Sequence, residues 1–228
     1  MKEIVHLKNG GACVKKVLLT GFDPFGNESV NPAIEAVKKL EGKVLEGYTV
    51  EVLEVSTVFD SCIEELKLAL KAVKPDVVIC VGQAGGRSQM CLERVAINVN
   101  DARIADNEGN QPIDTPVVED GPVGYWSTLP IKAIVEALRN QGIPASVSQT
   151  AGTFVCNHIF YGLMHQIKQM DRDVRGGFIH IPFLPEQAAK HPGQPSMALE
   201  TIVQGLEYAI VTSINYKQDI SVVGGQVN

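Results

Sequence analysis

The chain has 228 residues, 45% of them hydrophobic and 20% charged, with a net charge of −6. That length suits one sizeable α/β domain with its own core, and an acidic balance without any basic cluster speaks against a nucleic-acid partner. No apolar run reaches the roughly 18 residues that a membrane span needs, so no membrane association is expected. Residues 1 to 16 are largely polar, broken by Asn9-Gly10-Gly11, and lack the apolar core of a signal peptide, so 1 to 15 read as an extension outside the domain. Five cysteines, Cys13, Cys62, Cys80, Cys91 and Cys156, stand at irregular spacings with no Cys-x-x-Cys or Cys/His cluster. Free thiols in a cytoplasmic protein without structural zinc are the simple reading.

In chain order, Val17 to Thr20 reads as a short buried strand. It runs into Gly21-Phe22-Asp23-Pro24-Phe25-Gly26, a turn with two aromatics that either fold onto the core or wall an apolar pocket. Asn31 and Pro32 read as N-cap and first residue of a helix to about Leu40. Tyr48 to Val55 is a strand. Ser61 to Val73 is a helix, with Ser61 and Glu64 spaced as a capping box. Val77 to Val81 is a continuous apolar run, as in a strand buried on both faces. Strand, helix and strand in this order predict a parallel crossover. A glycine-rich loop, Gly82-Gln83-Ala84-Gly85-Gly86-Arg87, follows at the strand's end, where open α/β sheets place ligands. It matches neither dinucleotide-binding fingerprint nor Walker loop.

Cys91 to Arg103 is strand-like. Asp101 to Asp120 is polar and long for a connection, which often marks a functional loop. Thr128 is placed to cap a helix through Leu138, ended by Gly142. Ala145 to Gln149 is β-rich. Then Ile159, Phe160, Leu163, Met164 and Ile167 recur at helical spacing, which puts Cys156 at a helix start. Phe178 to Ile181 is a further β run, Gln187 to Pro195 a loop, and Ser196 to Ser213 a last helix. The catalytic domain is expected to run from 16 to 214, with a frayed tail over 215 to 228.

A thiol at a helix N-terminus is expected to have its pKa lowered, and the thiolate is the nucleophile; the alternative for Cys156 is plain packing. A base must accompany it. His158 and His165 share its helix but point to other faces or lie too far along. His6 lies in the extension and His191 in a loop. His180, on a β run, can face the helix start or be a satisfied core histidine. Glu93, a carboxylate inside a β-rich run, is a candidate to orient that imidazole, with Asp76, Asp101 and Glu186 as rivals.

Five segments, VLLTGFDPFG, ICVGQAGGR, ERVAINVNDARIADNEGNQP, YWSTLPIKAIVEALRNQGIPASVSQTAGTFVCNHIFYGLMH and RGGFIHIPFLPEQ, together resemble the pyroglutamyl peptidase I family of cysteine peptidases. The resemblance spans roughly residues 16 to 210. It implies a three-layer α/β/α fold with a mixed, mostly parallel sheet, no metal or other cofactor, and a homotetramer or homodimer. Its substrates would be peptides with an N-terminal pyroglutamyl residue. Cys156 would be the nucleophile, His180 the general base and acid, and Glu93 its orienting partner. Arg103 would lie near the oxyanion. Phe22, Phe25, Thr57, Gln83, Phe154 and Val155 would form the substrate pocket. Ala105 departs from the proline that family members often carry there, which would loosen that loop. The Cys156 sulfur would need to lie within hydrogen-bond reach of His180, and His180 within reach of Glu93. Two other readings remain at this stage. One is a different α/β hydrolase or phosphorylase-type enzyme that binds its ligand on the loop after Val81. The other is a lactam- or peptide-binding module without turnover.

Overall fold

The computed structural model describes residues 14–26 and 28–225; most of the expected extension, with Cys13, lies outside them. The strands are β1 (Lys15–Phe22), β2 (Val44–Leu45), β3 (Tyr48–Val55), β4 (Val77–Gln83), β5 (Met90–Glu93), β6 (Val95–Ile97), β7 (Gly124–Trp126), β8 (Ala145–Ser148) and β9 (Arg175–Ile181). The helices are α1 (Pro32–Lys38), α2 (Ser61–Val73), α3 (Ile131–Asn140), α4 (Val155–Gln169), α5 (Pro185–Ala188) and α6 (Leu199–Asn215).

Seven strands form one sheet in the order β2-β3-β1-β4-β9-β5-β8. Four of its pairings are parallel; β2–β3 and β5–β9 are antiparallel. The expected mixed, mostly parallel sheet is therefore present. β6 and β7 form a separate two-stranded antiparallel sheet, joined through the long loop 98–123. Buried residues divide into two cores. One packs α1, α3 and α6 on one face of the sheet, through Ile34, Ile134 and Leu206. The other packs α2 and α4 on the opposite face, through Leu66, Phe160 and Phe178. Strands buried on both faces explain the unbroken apolar run Val77 to Val81, every residue of which is fully buried.

Several local expectations are corrected. The Ser61–Glu64 capping box does not form. Asp60 occupies the cap with φ +60°, its N–H is taken by His158 Nε2 at 2.9 Å, and Glu64 pairs with Lys67 at 2.6 Å instead. Thr128 does not cap α3. Its hydroxyl exchanges hydrogen bonds with the backbone of Gly176. The orphan N–H groups of Lys132 and Ala133 go to the Asp219 carboxylate, at 3.0–3.1 Å. Within the described part of the tail, Asp219 caps α3 and Arg94 donates to Gly224 O at 2.8 Å. The strand-like run from Cys91 breaks at Arg94, so that β5 and β6 belong to different sheets. Gln187, read as loop, lies in α5.

Candidate active site

The register of the sheet assembles the site. Gly82 of β4 lies opposite His180 of β9, and Cys91 of β5 lies opposite His180 on the other side. Alternation along β5 puts Glu93 on the same face as Cys91, and so on the face of His180. That face is covered by the N-terminal end of α4. Phe154 is the extended N-cap and Cys156 the second helical residue. Gly152, just before it, has φ +79°, a conformation that favours glycine and turns the chain into the helix. Asn157 anchors this helix start. Its side chain takes the Ile97 N–H at 3.0 Å and donates to the carbonyls of Ile97 and Val99.

Glu93 is fully buried and His180 is 4% exposed. Glu93 Oε1 lies 2.7 Å from His180 Nδ1 and 2.7 Å from Arg87 Nη1. The carboxylate accepts from both, so the His180 proton sits on Nδ1 and Nε2 keeps a free lone pair. Arg87 is in turn held by Ser148 Oγ and Thr150 O, and it gives the buried carboxylate a counter-charge. Burial, helped by the Arg87 charge, pushes the His180 pKa down, while Glu93 pulls the other way. Phe178 packs against the imidazole at 4.8 Å between ring centroids.

Cys156 is only partly exposed. Burial and then the Glu93 charge push its thiol up to about 12, with Arg87 acting against them. The expected lowering at the helix start is thus overridden, because a dense surrounding and a nearby carboxylate both disfavour a thiolate. Among the described residues the sulfur makes no hydrogen bond, to His180 or to any other side chain, so one half of the expected contact pair is missing. His180 is committed to Glu93, and nucleophile–base contacts commonly tighten only when substrate is bound. Gly82 makes room for the sulfur: a Cβ there would stand 2.9 Å from Cys156 Sγ and 2.7 Å from Phe178 Cζ.

Beside the sulfur is a narrow, nearly closed cleft with a cavity volume of about 10 Å³, lined by Phe22, Phe25, Asn31, Thr57, Gln83, Phe154, Val155 and Cys156. All six residues expected in the pocket line it, together with Asn31, which the sequence showed only as a helix cap. Its aromatic wall continues inward, with Phe59 edge-on to Phe154 at 5.4 Å. The wall segments are tied to one another. Asp23 Oδ1 takes the Thr57 N–H at 2.7 Å, and Asn107 of the long loop reaches Pro24 O and the Thr57 carbonyl. Asp106 holds that loop by accepting the N–H groups of Phe59, Glu108 and Asn110, so the stretch around Ala105 is well anchored.

Arg103 is exposed and is not among the residues that line this cleft. The rival carboxylates are elsewhere. Asp76 takes the Lys16 N–H, and Asp101 and Glu186 are exposed. His158 is a satisfied core histidine between Asn100 and the Asp60 N–H, and His165 pairs with Tyr125 and Gln169. No group of three His, Cys, Asp or Glu suited to a metal occurs among the described residues. Arg87 is the functional residue that residue-by-residue reasoning missed. Its only signal was its place at the end of ICVGQAGGR.

The comparisons with known proteins identify the family. A family model for pyroglutamyl peptidase matches residues 15–216. The pyrrolidone-carboxylate peptidase of Brevibacillus brevis is 63% identical over 215 residues, covering 94% of this chain and 100% of the relative. That of Bacillus cereus is 61% identical over 212 residues, covering 93% and 99%. Among solved structures, the pyroglutamyl peptidase I of Bacillus amyloliquefaciens superposes with a TM-score of 0.90 at 53% identity, over 92% of this chain and 100% of that one. The pyrrolidone carboxyl peptidase of Thermococcus litoralis gives 0.89 at 38% identity, over 92% and 99%. With the whole domain matched, the chain belongs to the pyroglutamyl peptidase family, cysteine-type omega peptidases that remove an N-terminal pyroglutamyl residue.

Proposed function

We propose that Cys156, His180 and Glu93 carry out this reaction by acyl transfer, with Phe22, Phe25, Thr57, Gln83, Phe154 and Val155 holding the pyroglutamyl ring. The observation that carries the reading is the Glu93–His180 contact on the sheet face that α4 covers with Cys156. A pyroglutamyl residue is a small neutral lactam without an α-ammonium group. A mostly apolar cleft with a few polar groups suits it.

Burial and the Glu93 charge disfavour the Cys156 thiolate, so attack calls for a base to take the thiol proton. Sγ attacks the pyroglutamyl carbonyl carbon while its proton passes to His180 Nε2. Glu93 stabilises the imidazolium that results, as the third member of such sets does. The Cys156 N–H, in the first turn of α4 where backbone donors lack helical partners, faces the developing oxyanion. Collapse breaks the C–N bond, and His180 returns the proton to the leaving amine. Water then attacks the thioester, giving its proton through His180 to the Cys156 sulfur and releasing free pyroglutamate. Arg103 is proposed to act only from the rim, through the exposed loop that carries it.

The chain is further proposed to act in the cytoplasm as a homodimer or homotetramer, without metal, and without nucleic-acid or membrane partners. In support, Cys62, Cys80, Cys91 and Cys156 are all free thiols, and no helix of the described residues is long and apolar enough to cross a membrane. Nothing favours ligand binding by a cationic loop after Val81, since Arg87 is committed to Glu93. Release of a chromophore from a pyroglutamyl amide tests the assignment. Cys156→Ser should lose at least about a thousandfold in kcat, and turnover close to that of the wild type would remove Cys156 as the nucleophile.

A further inference from the structure

Gln187 sits behind the cleft and is 2% exposed. Its amide orientation is dictated by its partners. Oε1 accepts the Leu184 N–H at 3.1 Å. Nε2 lies 3.3 Å from Val30 O and 3.5 Å from Glu28 Oε2, a carbonyl and a carboxylate, which only accept. Glu28 is kept ionised by its His191 hydrogen bond, at 2.6 Å, which outweighs the upward push of burial. The shortest contact of Gln187 Nε2 is Gln83 Oε1, at 3.0 Å. An amide NH2 has no useful lone pair to accept with, so Gln83 must meet it with its carbonyl oxygen. The Gln83 NH2 is thereby turned to the other side, and among the described residues it donates to no protein group. Gln83 lines the cleft beside Cys156.

We propose that Gln187 is a positioning residue that locks the Gln83 amide with its N–H donors available to the cleft, so that the pocket selects a ring bearing a carbonyl acceptor. This rests on the reading that the cleft holds the pyroglutamyl ring. Without Gln187 the Gln83 amide is free to turn, and an acceptor facing the lactam carbonyl repels it. Rings that lack the carbonyl, as in an N-terminal proline, leave the aimed donor unpaired and are disfavoured.

A double-mutant cycle on a chromogenic pyroglutamyl amide tests the assignment. Gln187→Glu keeps the acceptor for the Leu184 N–H and removes the donor to Gln83. It should raise KM about tenfold while kcat stays within about twofold and the rate of Cys156 alkylation by iodoacetamide is unchanged. Gln83→Met should raise KM by a similar factor, and the double variant should be no worse than Gln83→Met alone. Multiplying effects, near a hundredfold in the double variant, would overturn the proposal, as would a loss of kcat at unchanged KM or no change in KM. If Gln187→Glu does not fold, as judged by its melting profile, Gln187→Met completes the same cycle. A wild-type protein that fails to cleave pyroglutamyl amides at all would instead refute the underlying reading of the cleft.

Discussion

Single residues here are governed by burial against partnership. Glu93, His180 and His158 are all buried, and each has a defined partner. His158 shows the cost most directly. Burial lowers its pKa to about 4, with exposed Asp60 pulling weakly the other way. Its ordinary value is near 6.5, so between pH 6.5 and 4 the unfolded chain binds a proton that the folded chain refuses. Stability contributed by the neutral His158 is full above pH 6.5 and is lost as pH falls through that window. The expected loss between pH 7 and pH 4.5 is about 2 kcal/mol. In His158→Gln the fall in stability over that range should be smaller by about that amount, as read from urea unfolding at the two pH values; an unchanged fall would show that His158 does not titrate as described. His180 shifts in the same direction and contributes equally to both proteins, so it cancels in the comparison. At this scale the sequence could name Cys156, Glu93 and His180 as chemically apt. It could not show Arg87, because only the fold brings residue 87 against residue 93 with a hydrogen bond of 2.7 Å.

Elements were legible where their signals are local. Tyr48–Val55 and Ser61–Val73 have the boundaries that alternation and helical spacing predict. Asn31 caps α1 as read, its side chain accepting the Ala33 N–H. The clearest failure is the substitution of a distant partner for a local one. Thr128 stands near the start of α3, but the helix is capped by Asp219, 87 residues away from Lys132 along the chain. Asp219→Ala should therefore destabilise the protein by about 1 kcal/mol with kcat unchanged, because α3 lies on the sheet face opposite the site. Denaturant midpoints alongside a turnover assay measure both, and a stability within error of the wild type would remove the tail from the account. Gly82 belongs to the same class. Its loop looked like a ligand-binding turn, yet the glycine is needed because the Cys156 sulfur and the Phe178 ring occupy the space of a side chain.

For the whole molecule, the two-faced sheet separates duties. One face, with α1, α3 and α6, is structural; the other, with α2 and α4, carries a core together with the proposed catalytic groups. Surface residues left apolar include Val123 and Trp126 at 88% and 67% exposure, beside and within β7, in keeping with association between copies. Sedimentation velocity should give a mass of two or four times 24.6 kDa; a monomer at micromolar concentration would overturn the oligomer proposal. By itself the sequence determined the α/β class, the strand and helix periods and the acidic balance, since these depend on composition and on neighbours within a turn or a strand; the proposed nucleophile and its helpers were singled out from their rivals only through the resemblance of longer segments to a family. Only the tertiary structure decided the upward push on the Cys156 thiol, the Arg87 counter-charge, the cap on α3 and the amide orientation behind the cleft. Each of these depends on dielectric and on hydrogen-bond partners that are distant in the chain and meet only once the sheet is assembled.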